Sequence, residues 1–242
     1  MLNFVTFKWG SAYTAYQVNQ LARQIRWGLR GEPHRFICVT DDPADLEVAS
    51  FPLWDDCSQL VSPRGVDAPS CYRRFKLFDP ETIRGLGCAP GSRVIAIDLD
   101  TLVIDDLRPL FVDRPEPFLA LIADGSRHQI TYNGSMWMWN AGEFEFLWKD
   151  FNYDADVRAA MNAFYFGSDQ AILSYKMIHV RGYKAGWTEA DGVYAFRNIR
   201  GQPRPPGARL IAFFGRYKPW DPESVRQTPW IEPFWTGEVR EG

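Results

Sequence analysis

Histidine is scarce in this chain. His34, His128 and His179 are the only three in 242 residues, and no His-Glu-x-x-His or similar ligand spacing joins them. The four cysteines, Cys38, Cys57, Cys71 and Cys88, form no Cys-x-x-Cys pair and have no adjacent histidine. That spacing argues against structural zinc and against a disulfide framework. The cysteines read as reduced, small hydrophobes, and the histidines as structural or surface residues. There is no block of lysine and arginine, and the net charge is −3, which argues against nucleic acid as the main partner. No apolar run approaches the length of a membrane span. "MLNFVTFKWG" lacks the charged leader and long apolar stretch of a signal peptide and reads as a first strand. The expectation is a cytoplasmic protein, with peripheral contact at a membrane left open.

Aromatic rings are plentiful, at 15% of residues with ten tryptophans. Most read as a bulky core, and a few remain as candidates for stacking on sugar or base. With 46% hydrophobic and 24% charged residues the composition is globular, without the signature of disorder. The length suits one large α/β domain or two small ones. No repeat and no shift of composition marks a linker, so a single domain over 1–242 is expected, with 221–242 as a tail packed on it.

"LNFVTF" (2–7) alternates and is rich in β-formers. The stretch 12–30 carries Tyr13, Tyr16, Leu21, Ile25 and Leu29 at roughly helical spacing, with Gly31 as a stop. "RFICVT" (35–40) is a second strand, halted by Asp-Asp-Pro. Such a β-α-β opening builds a parallel sheet whose site lies at the strands' C-terminal ends, here Phe7–Trp9 and Thr40–Asp42. Further on, "SCYRRFKLFDPETI" reads as helical up to Asp79-Pro80, and "GSRVIAID" as the central buried strand. "FLALIA" (118–123) and "SMWMWN" (135–140) read as strands, and "GEFEFLWKDF" and "SDQAILSYKMI" as helices. "GQPRPPGA" (201–208) is a proline-rich loop leading into a last apolar strand, "RLIAFF".

Two carboxylates stand at the end of the central strand, in "VIAIDLDTLV". In an extended chain Asp98 and Asp100 project to the same side and repel unless a cation or a proton neutralises them. Taken alone, Asp-x-Asp is commonly a turn whose side chains cap backbone N–H groups. The buried strand before it and Thr101 after it keep a second reading open, a Mg²⁺ or Mn²⁺ site with positions free for a diphosphate. Near the other end, "RLIAFFGRYKPWD" runs a strand into Gly215, where backbone can approach a ligand closely. Arg216 and Lys218 follow, two cations suited to a diphosphate.

These segments, in this order, resemble the retaining nucleotide-sugar glycosyltransferases of the glycogenin and lipopolysaccharide-galactosyltransferase family. The resemblance implies a single-domain GT-A (Rossmann-like) α/β fold with a central mixed, mostly parallel sheet flanked by helices. "VTFKWGSAY" is similar to the family's first strand and nucleotide loop, which would put Thr6 at the nucleotide and Tyr13 at the uracil; packing on the following helix is the other role open to Tyr13. "CYRRFKL" resembles the family's Tyr-x-Arg-x-Lys-Leu helix, with Arg74 as the donor-contacting base. "IDLDTLV" resembles its Asp-x-Asp motif, so Asp98, Leu99 and Asp100 would meet the donor, and the two aspartates would hold Mn²⁺ or Mg²⁺. "YNGSMWMWN" resembles the Asn-Ser-Gly segment under the donor sugar, with Gly134 and Ser135 in swapped order. "GSDQAIL" resembles the Asp-Gln segment. Asn133, Asp169 and Gln170 would then be the catalytic group, while Gly215 and Lys218 in "FFGRYKPW" would contact the diphosphate.

The implied activity is transfer of a sugar from a UDP-sugar to a hydroxyl of a carbohydrate or lipid-linked acceptor, with retention. One position departs from the pattern. The family's last motif has a metal-ligating histidine three residues before the glycine, or directly before it; here those positions are Ala212 and Phe214. Two alternatives stand beside the transferase. One is a catalytically silent nucleotide-sugar-binding protein of the same fold. The other is a haloacid-dehalogenase-like phosphatase in which the first aspartate attacks phosphorus. The phosphatase ranks lower, because two β/α strands precede Asp98 and no Gly-Asp-x-x-x-Asp motif follows it. "TPWIEPFW" (228–235) reads as a packed tail rather than an aromatic acceptor platform.

Overall fold

A computed structural model of the chain describes residues 1–63, 65, 70–123 and 131–238; His128 lies outside them. Among these residues the first strands are β1 (Leu2–Lys8), β2 (His34–Thr40), β3 (Ala49–Pro52), β4 (Arg93–Ile97) and β5 (Thr101–Val103). They are followed by β6 (Phe118–Ala123), β7 (Thr131–Asn140), β8 (Gly186–Trp187), β9 (Val193–Ala195) and β10 (Leu210–Ala212). The helices are α1 (Ala15–Gly28), α2 (Pro80–Gly85), α3 (Arg108–Phe111), α4 (Phe146–Lys149) and α5 (Tyr153–Asn162). After them come α6 (Asp169–Ser174), α7 (Phe196–Ile199), α8 (Pro222–Gln227) and α9 (Glu232–Thr236). The central sheet has the order β3-β2-β1-β4-β7-β6-β8, and a smaller sheet has the order β5-β10-β9. The expected α/β architecture, a mixed, mostly parallel sheet flanked by helices, is the one observed. The chain divides into two compact units, each discontinuous in sequence: Met1–Pro52, Ile95–Pro115 and Trp187–Gly242 in one, Leu53–Val94 and Glu116–Gly186 in the other.

In the first unit β1 and β2 pair in parallel from Leu2↔His34 to Lys8↔Thr40, and β2 pairs in parallel with β3. The crossover is α1. Its start is set at Thr14, whose backbone N–H and hydroxyl both donate to Gln17 Oε1, at 2.8 and 2.6 Å, the Gln17 half of a capping box. Val18, Leu21, Ala22 and Ile25 recur at helical spacing and are buried, at about 1.5–3 kcal/mol for each large aliphatic side chain. A β-carbon on Gly28 would lie 2.8–2.9 Å from Leu107 and Val103 side-chain atoms, so the helix approaches this closely only because no side chain stands there.

The smaller sheet also belongs to this unit, with β10 antiparallel to β5 and parallel to β9. Its core joins Leu102, Phe196, Ile211 and Phe213 to Phe234 and Trp235 from the C-terminal segment, with the Phe196 and Phe213 rings stacked at 4.3 Å. Ile231, Phe234 and Trp235 of "TPWIEPFW" are buried in that core.

The second unit is built around aromatic side chains. Trp137 and Trp139 of β7 are fully buried, and Phe75 and Phe78 lie against them with centroids 4.7–6.2 Å apart. Five of the ten tryptophans, Trp54, Trp137, Trp139, Trp187 and Trp235, are buried. "CYRRFKLF" is helical as expected, in the 3-10 form over Tyr72–Phe78. It ends at Asp79 as expected, and Asp79 also starts α2, its Oδ2 accepting from the Thr82 N–H at 3.1 Å. Proline at a first helical position lacks only an N–H that would go unpaired there.

The helix expected from "GEFEFLWKDF" shrinks to the four residues of α4, and the one expected from "SDQAILSYKMI" passes from α6 into π-helical turns over Tyr175–Val180. β6 and β7 are antiparallel, but their register jumps from Ala120↔Trp137 to Leu121↔Asn133. Gly134, Ser135 and Met136 therefore have no partner residue on β6, a bulge that re-aims the side chains around it.

Candidate active site

Within the first unit the chain leaves β4 at Ile97 and turns at Leu99–Asp100 into β5. Asp98 and Asp100 thus sit on a turn between two sheets. The turn itself is at Leu99 and Asp100, and the charge of Asp98 still acts on Asp100. The turn is held from three sides. Buried Thr6 donates its hydroxyl to the Ile97 carbonyl at 2.8 Å, Phe213 N–H donates to the Asp100 carbonyl at 3.0 Å, and the Leu99 side chain is buried. Thr6 lies under the turn with no exposed surface.

Lys218 reaches this turn from the segment after β10. Gly215 there adopts φ +75°, a left-handed conformation open to glycine at little cost. Asp221 Oδ2 accepts from the Lys218 N–H at 2.8 Å, and the Lys218 ammonium donates to Asp100 Oδ2. Burial and the neighbouring Asp98 charge push the Asp100 carboxyl up to about 6, with Lys218 acting in the opposite direction. For Lys218, burial works against the charge, but Asp100 and Tyr13 together outweigh it and the net direction is upward. Tyr13 completes the group. Its ring lies 5.8 Å from the Lys218 ammonium and edge-on to Trp220 at 5.9 Å. Its hydroxyl is pushed up to about 12, chiefly by burial and next by Asp100.

Sequence reasoning pointed to the ends of β1 and β2 without seeing how they are joined. Lys8 is buried, and its ammonium donates to the Asp42 carbonyl at 2.9 Å and to Asp42 Oδ2 at 3.2 Å. Asp41 Oδ2 accepts from Gly10 N–H at 3.0 Å. These bonds fix the loop that leads to Tyr13. Asp221 was also missed; its only signal was a position three residues beyond Lys218, where a carboxylate can close a turn.

A second group forms within the other unit. Arg74 is buried on the 3-10 segment, where Nε donates to Asp169 Oδ2 at 2.7 Å and Nη1 to the Gly134 carbonyl at 2.6 Å. Its guanidinium lies 4.9 Å from the Trp137 ring centroid. Asp169 is 1% exposed, and its Oδ1 accepts from the Gln170 N–H at 2.9 Å and the Ser168 hydroxyl at 3.0 Å. Gln170 Oε1 accepts from Gly134 N–H at 3.3 Å, and Asn133 Oδ1 from Ser135 N–H at 2.8 Å. The bulge in β7 thus gathers Asn133, Gly134, Arg74, Asp169 and Gln170. A β-carbon at Gly134 would lie 2.4 Å from Arg74 Nη2, which explains glycine rather than serine at this position of the swapped pair.

The remaining scarce residues fall elsewhere. All four cysteines are free. His34 Nδ1 lies 2.9 Å from the Glu32 carbonyl, and His179 packs on the Tyr175 ring. Ala212 is buried and paired in register with Thr101, so it stands beside the aspartate turn but offers it no ligand. The Phe214 ring lies 5.7 Å from the Arg197 guanidinium. Among the described residues no three His, Cys, Asp or Glu side chains converge as a metal-holding group.

Among solved structures, galactosyltransferase LgtC in complex with donor and acceptor sugar analogs aligns over 98% of this chain and 95% of its own, with TM-score 0.63 and 14% identity. The chain has the GT-A glycosyltransferase fold. The active-site mutant Q189E of LgtC aligns with TM-score 0.61 and 13% identity over the same shares of both chains. The apo form of glycosyltransferase GlyE from Streptococcus pneumoniae TIGR4 aligns with TM-score 0.57 and 14% identity, over all of this chain and 63% of that one. No family model and no curated protein sequence matches the chain. Among the described residues no helix is long and apolar enough to cross a membrane.

Proposed function

We propose that the protein transfers a sugar from a UDP-sugar to an acceptor hydroxyl with retention at the anomeric carbon. The observation that carries this reading is the pairing of Lys218 with Asp100 on the turn after β4, a partly buried ion pair at the strand ends where α/β sheets bind ligands. In this reading Tyr13 stacks on the uracil and Lys218 faces the diphosphate. Gly215 lets the backbone approach the same group. Arg74, Asn133, Asp169 and Gln170 handle the sugar: Asp169, paired with the Arg74 guanidinium, faces an anomeric carbon that becomes cationic as the leaving group departs.

Two carboxylates, one of them also bonded to an ammonium, suit a hard cation that draws its other ligands from diphosphate oxygens and water. Asp98 and Asp100 would hold Mn²⁺ or Mg²⁺ in that shared manner. A cation there supplies Lewis-acid neutralisation of the leaving diphosphate. Lys218 supplies a fixed positive charge to the same end, an electrostatic contribution of roughly several kcal/mol for such preorganised groups.

Ala212 favours a second reading, a silent nucleotide-sugar-binding protein, since it stands where a ligating side chain would complete the site. Calorimetric titration of UDP with and without Mn²⁺ tests the binding that both readings share. Release of UDP from UDP-glucose, UDP-galactose and their N-acetyl forms then separates them: turnover with one donor is the expected result, and binding without turnover leaves the silent protein.

A further inference from the structure

Of the eight large apolar side chains that the described residues expose, five belong to one region of the second unit: Val61, Met161, Phe164, Phe166 and Val180. Their closeness follows from contacts. The Tyr153 hydroxyl donates to the Val61 carbonyl at 2.6 Å and ties that loop to α5. Phe164 and Phe166 flank buried Tyr165, whose ring lies edge-on to His179 at 6.4 Å, and His179 precedes Val180.

Phe164 is the most exposed of the group, at 75%, and its backbone is unusual. Tyr165 N–H donates to the Ala160 carbonyl at 2.9 Å and Phe164 N–H to Met161 at 3.0 Å, the paired bonds of a Schellman helix end. Phe164 occupies its left-handed position, φ +64°, where glycine is the favoured residue. A bulky ring placed there strains the backbone and gains no burial within the chain.

Charge frames the same region. Arg158 lies one turn before Met161 on α5, Arg181 follows Val180, and Lys184 comes three residues later. All three are exposed, and none has an ion-pair partner among the described residues. Arg181 stacks its guanidinium 3.7 Å from the Phe146 ring centroid. Asp154 is the acidic member of the groove that Arg158 and Met161 line. Exposed rings bordered by three cations outside any ion pair among the described residues, against the single carboxylate of Asp154 in the groove, suit an interface between acyl chains and anionic headgroups.

We propose that this patch seats the protein on an anionic lipid bilayer, with Phe164 and Phe166 entering the acyl boundary and Arg158, Arg181 and Lys184 meeting headgroups. The inference does not rest on the transferase reading. Co-sedimentation of the full chain with phosphatidylcholine vesicles, with and without phosphatidylglycerol, tests it. Binding is expected only when phosphatidylglycerol is present, weakening as salt is raised. The pair Phe164→Ser and Phe166→Ser should lower it by about tenfold or more, given the apolar area withdrawn, and Arg158→Glu with Arg181→Glu should do the same. Phe164→Gly separates binding from folding: it should weaken vesicle binding while leaving thermal stability equal or higher. Absence of binding at low salt overturns the proposal. So does unchanged binding by the phenylalanine variants, or a concentration-dependent dimer that they abolish in a chain that ignores vesicles.

Discussion

Arg74 and Asp169 form a buried ion pair, with Nη2 2.6 Å from Oδ2 and side chains only 7% and 2% exposed. The pair is closed by further bonds from Arg74 to the Gly134 carbonyl and from Gln170 N–H to Asp169. Such satisfaction matters because two charges removed from water repay their desolvation only when every remaining donor and acceptor is met. Breaking one side leaves the other charge buried and unpaired. Arg74→Ala is therefore expected to lower unfolding free energy by about 3–5 kcal/mol, measured by urea denaturation. Arg74→Lys should recover part of that loss, since a lysine keeps the charge but not the fork.

Gly134→Ala probes the same group without changing a charge. The added methyl would stand 2.4 Å from Arg74 Nη2, and the guanidinium cannot yield while it bonds to Asp169 and the Gly134 carbonyl. The expected outcome is a stability loss smaller than that of Arg74→Ala, about 1–3 kcal/mol as for other overpacked sites. If Arg74 and Asp169 handle the donor sugar, UDP release falls by about tenfold or more while UDP affinity is unchanged. Parallel titration and turnover measurements on the variant check both halves.

The pH dependence of the other group separates binding from stability. Burial and the Asp98 charge hold the Asp100 carboxyl at about 6 in the folded chain, against an ordinary value of 3.8. A proton on Asp100 competes with a cation or with the Lys218 bond, so UDP affinity in the presence of Mn²⁺ should fall as pH drops below about 6. The limiting slope is about tenfold per pH unit. Stability moves the other way. Because the folded-state value is raised, the folded chain binds the proton more readily than the unfolded one. The contribution of Asp100 to stability therefore increases as pH falls from about 6 towards 4. Calorimetry across that range should show affinity declining, and Asp100→Asn should flatten the profile.

The sequence disclosed those features whose signal is local. β1, α1 and β2 were legible because apolar alternation, helical spacing and the Asp-Asp-Pro stop all lie within the segments themselves. Asp98, Asp100 and Lys218 were legible as motif members, but their contact crosses 118 residues and only the fold creates it. The turn that Asp-x-Asp commonly makes is present at Leu99–Asp100, but nothing in "IDLDTLV" shows that β5 leaves for another sheet. The bulge at Gly134 was hidden for a similar reason, because a bulge is defined by its partner strand and β6 lies in a different stretch of chain. Asp79-Pro80 was legible as the stop after Tyr72–Phe78. That it also opens α2 rests on the capping bond to Thr82, since proline is as much at home at the first helical position as after the last.

Ala212 yields the sharpest test of how a cation would be held. It pairs with Thr101 next to Asp100, so its side chain stands close to the aspartate turn without offering it a ligand. With two carboxylates alone, Mn²⁺ should bind the free chain weakly and tightly only once UDP adds its diphosphate oxygens. Asp98→Asn and Asp100→Asn should each abolish the gain in UDP affinity that Mn²⁺ brings. Ala212→His supplies an imidazole in the missing place. It should raise Mn²⁺ affinity by about tenfold or more, the low end of what even an outer-shell partner contributes. Crowding of a buried position should cost about 1–3 kcal/mol of stability. Titration of Mn²⁺ into the variant, with and without UDP, gives the answer directly. A gain confined to the variant's UDP-free state would mean that the imidazole completes a self-sufficient site. No gain in either state would mean that the aspartate turn holds no cation and that Lys218 alone carries the positive charge.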